Sequence, residues 1–447
     1  MPAAPGYSEG SPALSRPNTT RTIFDPAICC LRLRVNVVWV GGCLRQRRAT
    51  GSTLNGRPGL IAVAPRARTK LANNDISGAC KMHIAQIAPL AEAVPPKFYG
   101  GTERVIHWLT EELIALGHDV TLYASGDSVT SATLEAVWPR ALRLDRSVRD
   151  PNALHMAMLE RVRQRANEYD FLHFHLDYYP FSLFSRQAAP FVTTLHGRLD
   201  LPEHQPVFTT FSSLPLISIS DSQRRPIPQA NWIRTIYHGL PQQLLTPVAV
   251  KPSYFAFLGR VAPEKGVDRA ISIARKCSVP LRIAAKIDKV DREYFDEKIR
   301  PLLDGSSAEY IGEITDSEKS EFLSGAVALL DPIDWPEPFG LVMIEAMACG
   351  TPVIAFNRGS VPEVIDDGLT GFIVEDEEGA IGAFDRLSQL SREKIRGHFE
   401  QRFTARRMAL EYLAAYRSLM DREHRLKRAV KGLPAPALRL AASTLPT

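Results

Sequence analysis

The chain has 447 residues, 45% of them apolar and 23% charged, with a formal net charge of +5. Those values exclude a disordered tail, a small disulfide scaffold and a collagen-like fibre, and leave room for several packed domains. The charge is uneven: residues 1–81 carry +9 and everything after them −4, so the bulk of the protein lacks the basic footprint of a nucleic-acid binder.

Residues 1–81 are dense in Arg, Pro, Gly and Asn and hold no sustained strand or helix period. They read as a disordered basic leader or as upstream sequence that is not translated; the second reading, with Met82 as the first residue, is preferred. Their longest apolar run, 35–44, contains Asn36 and is shorter than the about 20 residues that span a bilayer. Cys29, Cys30, Cys43 and Cys80 precede Met82 and only Cys277 and Cys349 follow it, with no CxxC spacing, which points to a reducing, cytoplasmic compartment.

From Met82 the chain alternates short apolar runs with helical periods, the rhythm of a parallel sheet covered on both faces. A buried strand is expected over 82–88, a tight turn at Gly100-Gly101 and a helix capped by Thr102. Val105, Ile106, Leu109, Leu113, Ile114 and Leu116 recur at helical spacing, Gly117 stops the helix, and a strand follows over 120–124. Further strands are expected over 171–175, 191–195, 216–220 and 233–237, giving a first domain over 82–245.

A Pro/Gln-rich stretch, 241–252, reads as a linker. A second domain, 246–403, is expected to hold strands over 254–258, 281–285, 327–330, 352–355 and 372–374. An amphipathic helix begins at 404 within a segment running to 425. The basic, then Ala/Leu/Pro-rich tail, 426–447, reads as a frayed end, with contact to an anionic membrane surface as the alternative. The fold class is α/β: two Rossmann-like, doubly wound domains facing across a cleft, with ligands outside the carboxyl ends of the strands.

The chemistry concentrates in Asp334-Trp-Pro-Glu337-Pro-Phe-Gly-Leu-Val-Met-Ile-Glu345-Ala-Met-Ala-Cys-Gly-Thr-Pro. Glu337 precedes a proline and is pushed toward extended backbone. Pro338 suits the first helical position, leaving the amides of Phe339, Gly340 and Leu341 at a free helix amino terminus that favours an anion such as a diphosphate. In one continuous helix the two glutamates would stand about 12 Å apart along the axis and about 80° apart around it; a loop residue followed by a helix lets both reach one ligand. Either glutamate alone reads as a helix cap or a solvated surface charge, and only the pair in this setting points to a ligand.

Glu337 and Glu345, separated by seven residues, with Pro-Phe-Gly between them and Ala-Cys-Gly-Thr-Pro-Val-Ile after, resemble the paired glutamates of the retaining, nucleotide-sugar-dependent glycosyltransferases of family four. The resemblance runs from about residue 82 to 420. It implies the GT-B fold, with a final helix crossing back to the first domain. It also implies that Glu337 meets the donor sugar's hydroxyls and Glu345 the ribose. The segment Phe257-Leu-Gly-Arg260-Val-Ala-Pro-Glu-Lys265-Gly266 is similar to the family's basic pair, so Arg260 and Lys265 are expected to clamp the donor diphosphate, where two fixed cations stabilise charge on the leaving phosphate. His196, in Val192-Thr-Thr-Leu-His196-Gly197, is similar to the family's active-site histidine, with a role in orienting the donor sugar or polarising a hydroxyl. Gly100-Gly101 resembles the glycine loop under the diphosphate. His173 and His175 point the same way on one strand and read as structural or acceptor-lining.

The sequence departs from the family pattern at Tyr237-His238-Gly239-Leu240-Pro241 and at Ala284-Ala-Lys286-Ile-Asp288. The resemblance implies hexosyl transfer from a nucleoside diphosphate sugar to an acceptor hydroxyl with retained anomeric configuration. The acceptor is a saccharide, a lipid-linked molecule or a small molecule, and the loops 95–99 and 199–206 carry no readable code for it. No cofactor and no required metal are expected, since Arg260, Lys265 and the helix terminus would replace one. A cytoplasmic location is the expectation, with peripheral contact at the inner face of the membrane as the alternative. A nucleotide-sugar epimerase of the same fold is an alternative. A dinucleotide-dependent oxidoreductase is weaker, because no GxGxxG follows the first strand.

Overall fold

The computed structural model describes residues 81–97 and 100–431. The expectations for 1–80, for Phe98 and Tyr99, and for the tail beyond 431 lie outside the described residues.

The first sheet contains β1 (His83–Ile87), β2 (Asp119–Ser125), β3 (Thr133–Trp138), β4 (Phe171–Phe174), β5 (Phe191–Thr194), β6 (Leu216–Ser218) and β7 (Trp232–Thr235). Its order is β3-β2-β1-β4-β5-β6-β7, parallel throughout. The second contains β8 (Tyr254–Arg260), β9 (Leu281–Lys286), β10 (Ala308–Gly312), β11 (Ala326–Asp331), β12 (Val353–Phe356) and β13 (Gly371–Val374), also parallel, in the order β10-β9-β8-β11-β12-β13. Both are doubly wound, as the alternating rhythm predicts. The central strands read as continuous apolar runs because helices cover both faces of a parallel sheet.

Two strands escape that reading, β3 and β10. Both lie at sheet edges and mix apolar with charged or polar residues, Thr-Leu-Glu-Ala-Val-Trp and Ala-Glu-Tyr-Ile-Gly, because one side of an edge strand meets solvent. Two helix starts are also corrected. The first helix is Gly101–Ala115, capped by Gly100 with no side-chain bond, so Thr102 lies inside it. The helix after Glu337 is Leu341–Ala348, with Gly340 as its cap at φ 79°, so Pro338 and Phe339 precede it.

Strand order reverses between β1 and β4 in one sheet and between β8 and β11 in the other, and ligands of such sheets bind outside the carboxyl ends at those reversals. The carboxyl ends of those four strands and the turns that follow carry Gly100-Gly101, His175, Arg260 with Lys265, and Glu337. His196 follows β5, the neighbour of β4.

The chain crosses between the domains twice, and the two crossings are bonded to each other. Leu240 N donates to Phe403 O at 3.0 Å, and Ala405 N donates to Leu240 O at 2.9 Å. The stretch after the first crossing is strapped to the second domain, with Thr246 N donating to Ser320 Oγ and Val248 N to Ser324 Oγ. After the second crossing the Ala405–Lys431 helix runs back onto the first domain, burying Ala405, Met408, Ala409, Tyr412, Leu413 and Tyr416 at three- and four-residue spacing. Tyr416 stacks on Phe171 of β4 with ring centroids 4.4 Å apart. Among the described residues no helix is long and apolar enough to cross a membrane.

Candidate active site

Glu337 sits in the loop between β11 and the Leu341–Ala348 helix. Its Oε2 accepts a hydrogen bond from Trp335 Nε1 at 2.7 Å and another from Lys265 Nζ. The Lys265 ammonium also lies over the Trp335 ring, 5.3 Å from its centroid, so one indole packs the cation and orients the carboxylate. A second loop fixes the backbone of Glu337: Ser360 N donates to Glu337 O at 3.0 Å, and Ser360 Oγ donates to Phe339 O at 2.8 Å. Gly359, at φ 56°, makes this approach feasible, since a Cβ there would stand 2.3 Å from Glu337 N.

Asp331, the last residue of β11, lies buried beneath this group. Burial raises its pKa to about 6; Lys265 pulls it down and Glu337 pushes it up. Two carboxyl groups, Asp331 and Glu337, therefore share one end of the cleft with a single lysine, Lys265.

Arg260 ends β8, and its guanidinium turns into an acidic nest: it donates to Glu264 at 2.5 Å, with Asp291 at 3.3 Å and Asp288 at 3.9 Å. Arg260 and Lys265 thus leave the same strand but engage different carboxylates.

Glu345, in the second turn of its helix, is buried and accepts from Lys319 Nζ at 2.7 Å. Lys319 also reaches Asp316 at 3.2 Å, and Asp316 is bridged to Arg104 of the first domain. Burial pulls the Lys319 pKa down, but the two carboxylates outweigh it and hold it above its ordinary value. Sequence reasoning missed this lysine, which sits on a helix with the capping box of a surface segment, Thr315 with Glu318.

Of the two glycines, Gly101 faces the Leu341–Ala348 helix from the other domain, while Gly100 lies against Pro96 and Glu103 of its own domain. A Cβ on Gly101 would stand 3.5 Å from Leu341 Cδ1, so the first turn of the Gly101–Ala115 helix opposes the first turn of the Leu341–Ala348 helix. Two helix amino termini, each a partial positive charge, converge on one crevice. Phe339 is buried, and its ring meets that of His238 edge-on at 4.9 Å.

His196 Nε2 lies 2.8 Å from His175 Nδ1, and its ring stacks on His238 at 5.3 Å. Its Nδ1 is buried without a hydrogen-bond partner. Burial pushes the His196 pKa down to about 3, so the imidazole is neutral at physiological pH. The structure therefore brings Gly101, Glu337, Phe339, Gly340, Leu341 and Lys265 together at the crevice, with His196 joined to Phe339 through His238.

The chain matches two family models, Glycosyl transferases group 1 over residues 246–402 and Glycosyltransferase Family 4 over residues 99–239. The chain belongs to the glycosyltransferases of family four. Among relatives of this family-four chain, the alpha-maltose-1-phosphate synthase of Mycobacterium tuberculosis is 30% identical over 140 residues. That match covers 30% of this chain and spans 36% of the length of the synthase. The glycogen synthase of the same organism is 24% identical over 404 residues, 76% of this chain and 97% of the relative. The Anabaena protein HepE, solved in complex with UDP and glucose, superposes with a TM-score of 0.58 at 18% identity, over 75% of this chain and 100% of that one. The last likeness bears on the fold, which is GT-B in both.

Proposed function

We propose that this protein transfers a hexosyl unit from a nucleoside diphosphate sugar to an acceptor hydroxyl with retention of anomeric configuration. The observation that carries the reading is the opposition of Gly101 and Leu341, which aims two helix amino termini at one crevice beside Glu337 and Lys265. In this reading the diphosphate lies between those termini, Lys265 and Arg260 take its charge as the leaving group departs, and Glu345 turns from Lys319 to the ribose. Glu337, held by Trp335, meets the donor hydroxyls. Departure and attack occur on one face of the sugar, assisted by the leaving phosphate, and the cations and helix termini take the part of a metal. The acceptor is a saccharide, a lipid-linked molecule or a small molecule. The reading includes a cytoplasmic location.

UDP is the first nucleotide to try, since HepE was crystallised with UDP and glucose. A thermal-shift screen of UDP-, ADP- and GDP-sugars on the full chain tests the reading, because a ligand at 100 times its Kd stabilises by about 2.7 kcal/mol. A rise with one nucleoside diphosphate sugar and none with NAD or NADP is the expected result. Stabilisation by a dinucleotide alone would sink it.

A further inference from the structure

Three histidines, two tyrosines, one threonine and one glutamine form a buried hydrogen-bonded network that ends at His196. Tyr416 Oη lies 2.7 Å from His173 Nδ1 and accepts from Gln86 Nε2 at 3.3 Å. His173 Nε2 lies 2.7 Å from Thr194 Oγ1, itself 3.1 Å from Tyr412 Oη. Gln86 Oε1 lies 2.8 Å from His175 Nε2, and His175 Nδ1 lies 2.8 Å from His196 Nε2. His238 stacks on the far side of His196 and adds no hydrogen bond to it.

A neutral imidazole has one N–H and one lone pair, so each contact in the chain dictates the next. Burial holds His173, His175, His196 and His238 well below their ordinary pKa, and none of them supplies a second proton. The Gln86 carbonyl oxygen only accepts, so His175 Nε2 carries the proton and His175 Nδ1 is a lone pair. His196 Nε2 then donates to it, and His196 Nδ1 is left as a lone pair. In this orientation the other end of the amide donates its N–H to Tyr416 Oη, which leaves the tyrosine proton for His173 Nδ1. The unpartnered buried atom at the end is His196 Nδ1, beside Gly197, where the space a Cβ would fill is open to 4 Å.

We infer that Gln86, His175 and Tyr416 are positioning residues that lock His196 as the Nε2–H tautomer, so that its Nδ1 accepts a hydrogen bond from a hydroxyl of the bound sugar. This rests on the reading of His196 as a residue facing the donor. The device selects a ligand that donates at this point and discriminates against one that carries only an acceptor there. It also makes the crossing helix, through Tyr416, part of the sugar site.

The test is two-bond 1H–15N correlation of the full chain with 15N-labelled histidine, assigned by His175→Ala and His196→Ala. The expected spectrum has His175 and His196 both protonated at Nε2. Gln86→Leu should release His196 into a mixture of tautomers and lower turnover of the donor found by thermal shift about tenfold, the worth of one hydrogen bond. Gln86→Glu, which offers only acceptors, should restore the tautomer and most of the turnover, a rescue that mere packing would not give. If Gln86→Leu does not fold, Tyr416→Phe is the second variant, and two sets of His196 signals are expected. A protonated His196 Nδ1 in the unmodified chain, or an unchanged tautomer in these variants, would overturn the inference. The spectra need no donor, so they fail or stand apart from the proposed activity; full turnover in His196→Ala would instead remove His196 from the sugar site and overturn its assigned purpose.

Discussion

Lys319 Nζ and Glu345 Oε1 are 2.7 Å apart, and both side chains are almost wholly buried. Two charges out of water depend on each other, because removing one leaves the other uncompensated. Lys319→Met should therefore destabilise the chain by about 3–5 kcal/mol, and adding Glu345→Met should recover most of the loss. Urea unfolding of the two single variants and the double variant measures the coupling, and strictly additive losses would refute it.

Gly359 is the narrowest point behind Glu337. A Cβ there meets Glu337 N at 2.3 Å from a left-handed backbone, so the loop has to move. Gly359→Ala should cost about 2 kcal/mol and weaken donor binding by displacing Glu337. Calorimetric titration with the donor checks the second effect. An unchanged affinity would mean that Glu337 is held by Trp335 and Lys265 alone.

Glu363 of the second domain caps a helix of the first. Its carboxylate accepts from Asp221 N and Ser222 N at 2.7 Å each and from Tyr237 Oη at 3.1 Å. Glu363→Ala should cost about 1–2 kcal/mol and loosen the domains. Small-angle scattering of the unliganded chain should then give a larger radius of gyration; an identical profile would confine the effect to stability.

The histidine cluster sets the acid limit of the fold. His173, His175, His196 and His238 all have folded pKa values below the unfolded value near 6.5. Below that pH the unfolded chain binds protons that the folded chain refuses, so stability rises with pH and is lost as pH falls from 6.5 toward 3, the limit given by His196. Between pH 7.5 and 5.5 the loss should be about 1 kcal/mol for each histidine. Asp331, raised to about 6, binds a proton more readily when folded and opposes them, as do Glu103, Glu112, Asp177 and Asp291, all raised by burial; His107, His118, His155 and His398, lowered by burial, act with the cluster. Melting temperatures at the two pH values decide it, and a flat profile would mean that the cluster is hydrated.

What the residue pattern revealed, and what it hid, follows from the range of the forces involved. Buried parallel strands announce themselves as apolar runs, so the central strands of both sheets were legible; β3 and β10, half in solvent at the edges, were not. Glu337 was legible because Pro338 and the glycines around it constrain the backbone locally. The Lys319–Glu345 pair joins two helices, the Gln86–His175–His196 chain joins three strands, and the Glu363 cap joins two domains. No sequence period brings such residues together, and only the fold does so. The helix starts at Leu341 rather than at Pro338 because Gly340, in a left-handed conformation, takes the cap position.

In the proposed function Glu337 and Lys265 hold a nucleotide sugar at the crevice between the two helix amino termini. Its most direct test is transfer, measured as nucleotide release from the donor, in Glu337→Ala and Lys265→Ala. A loss of at least about 100-fold in each, with the circular dichroism spectrum unchanged, is the expected result. Near-normal turnover in both variants would contradict it.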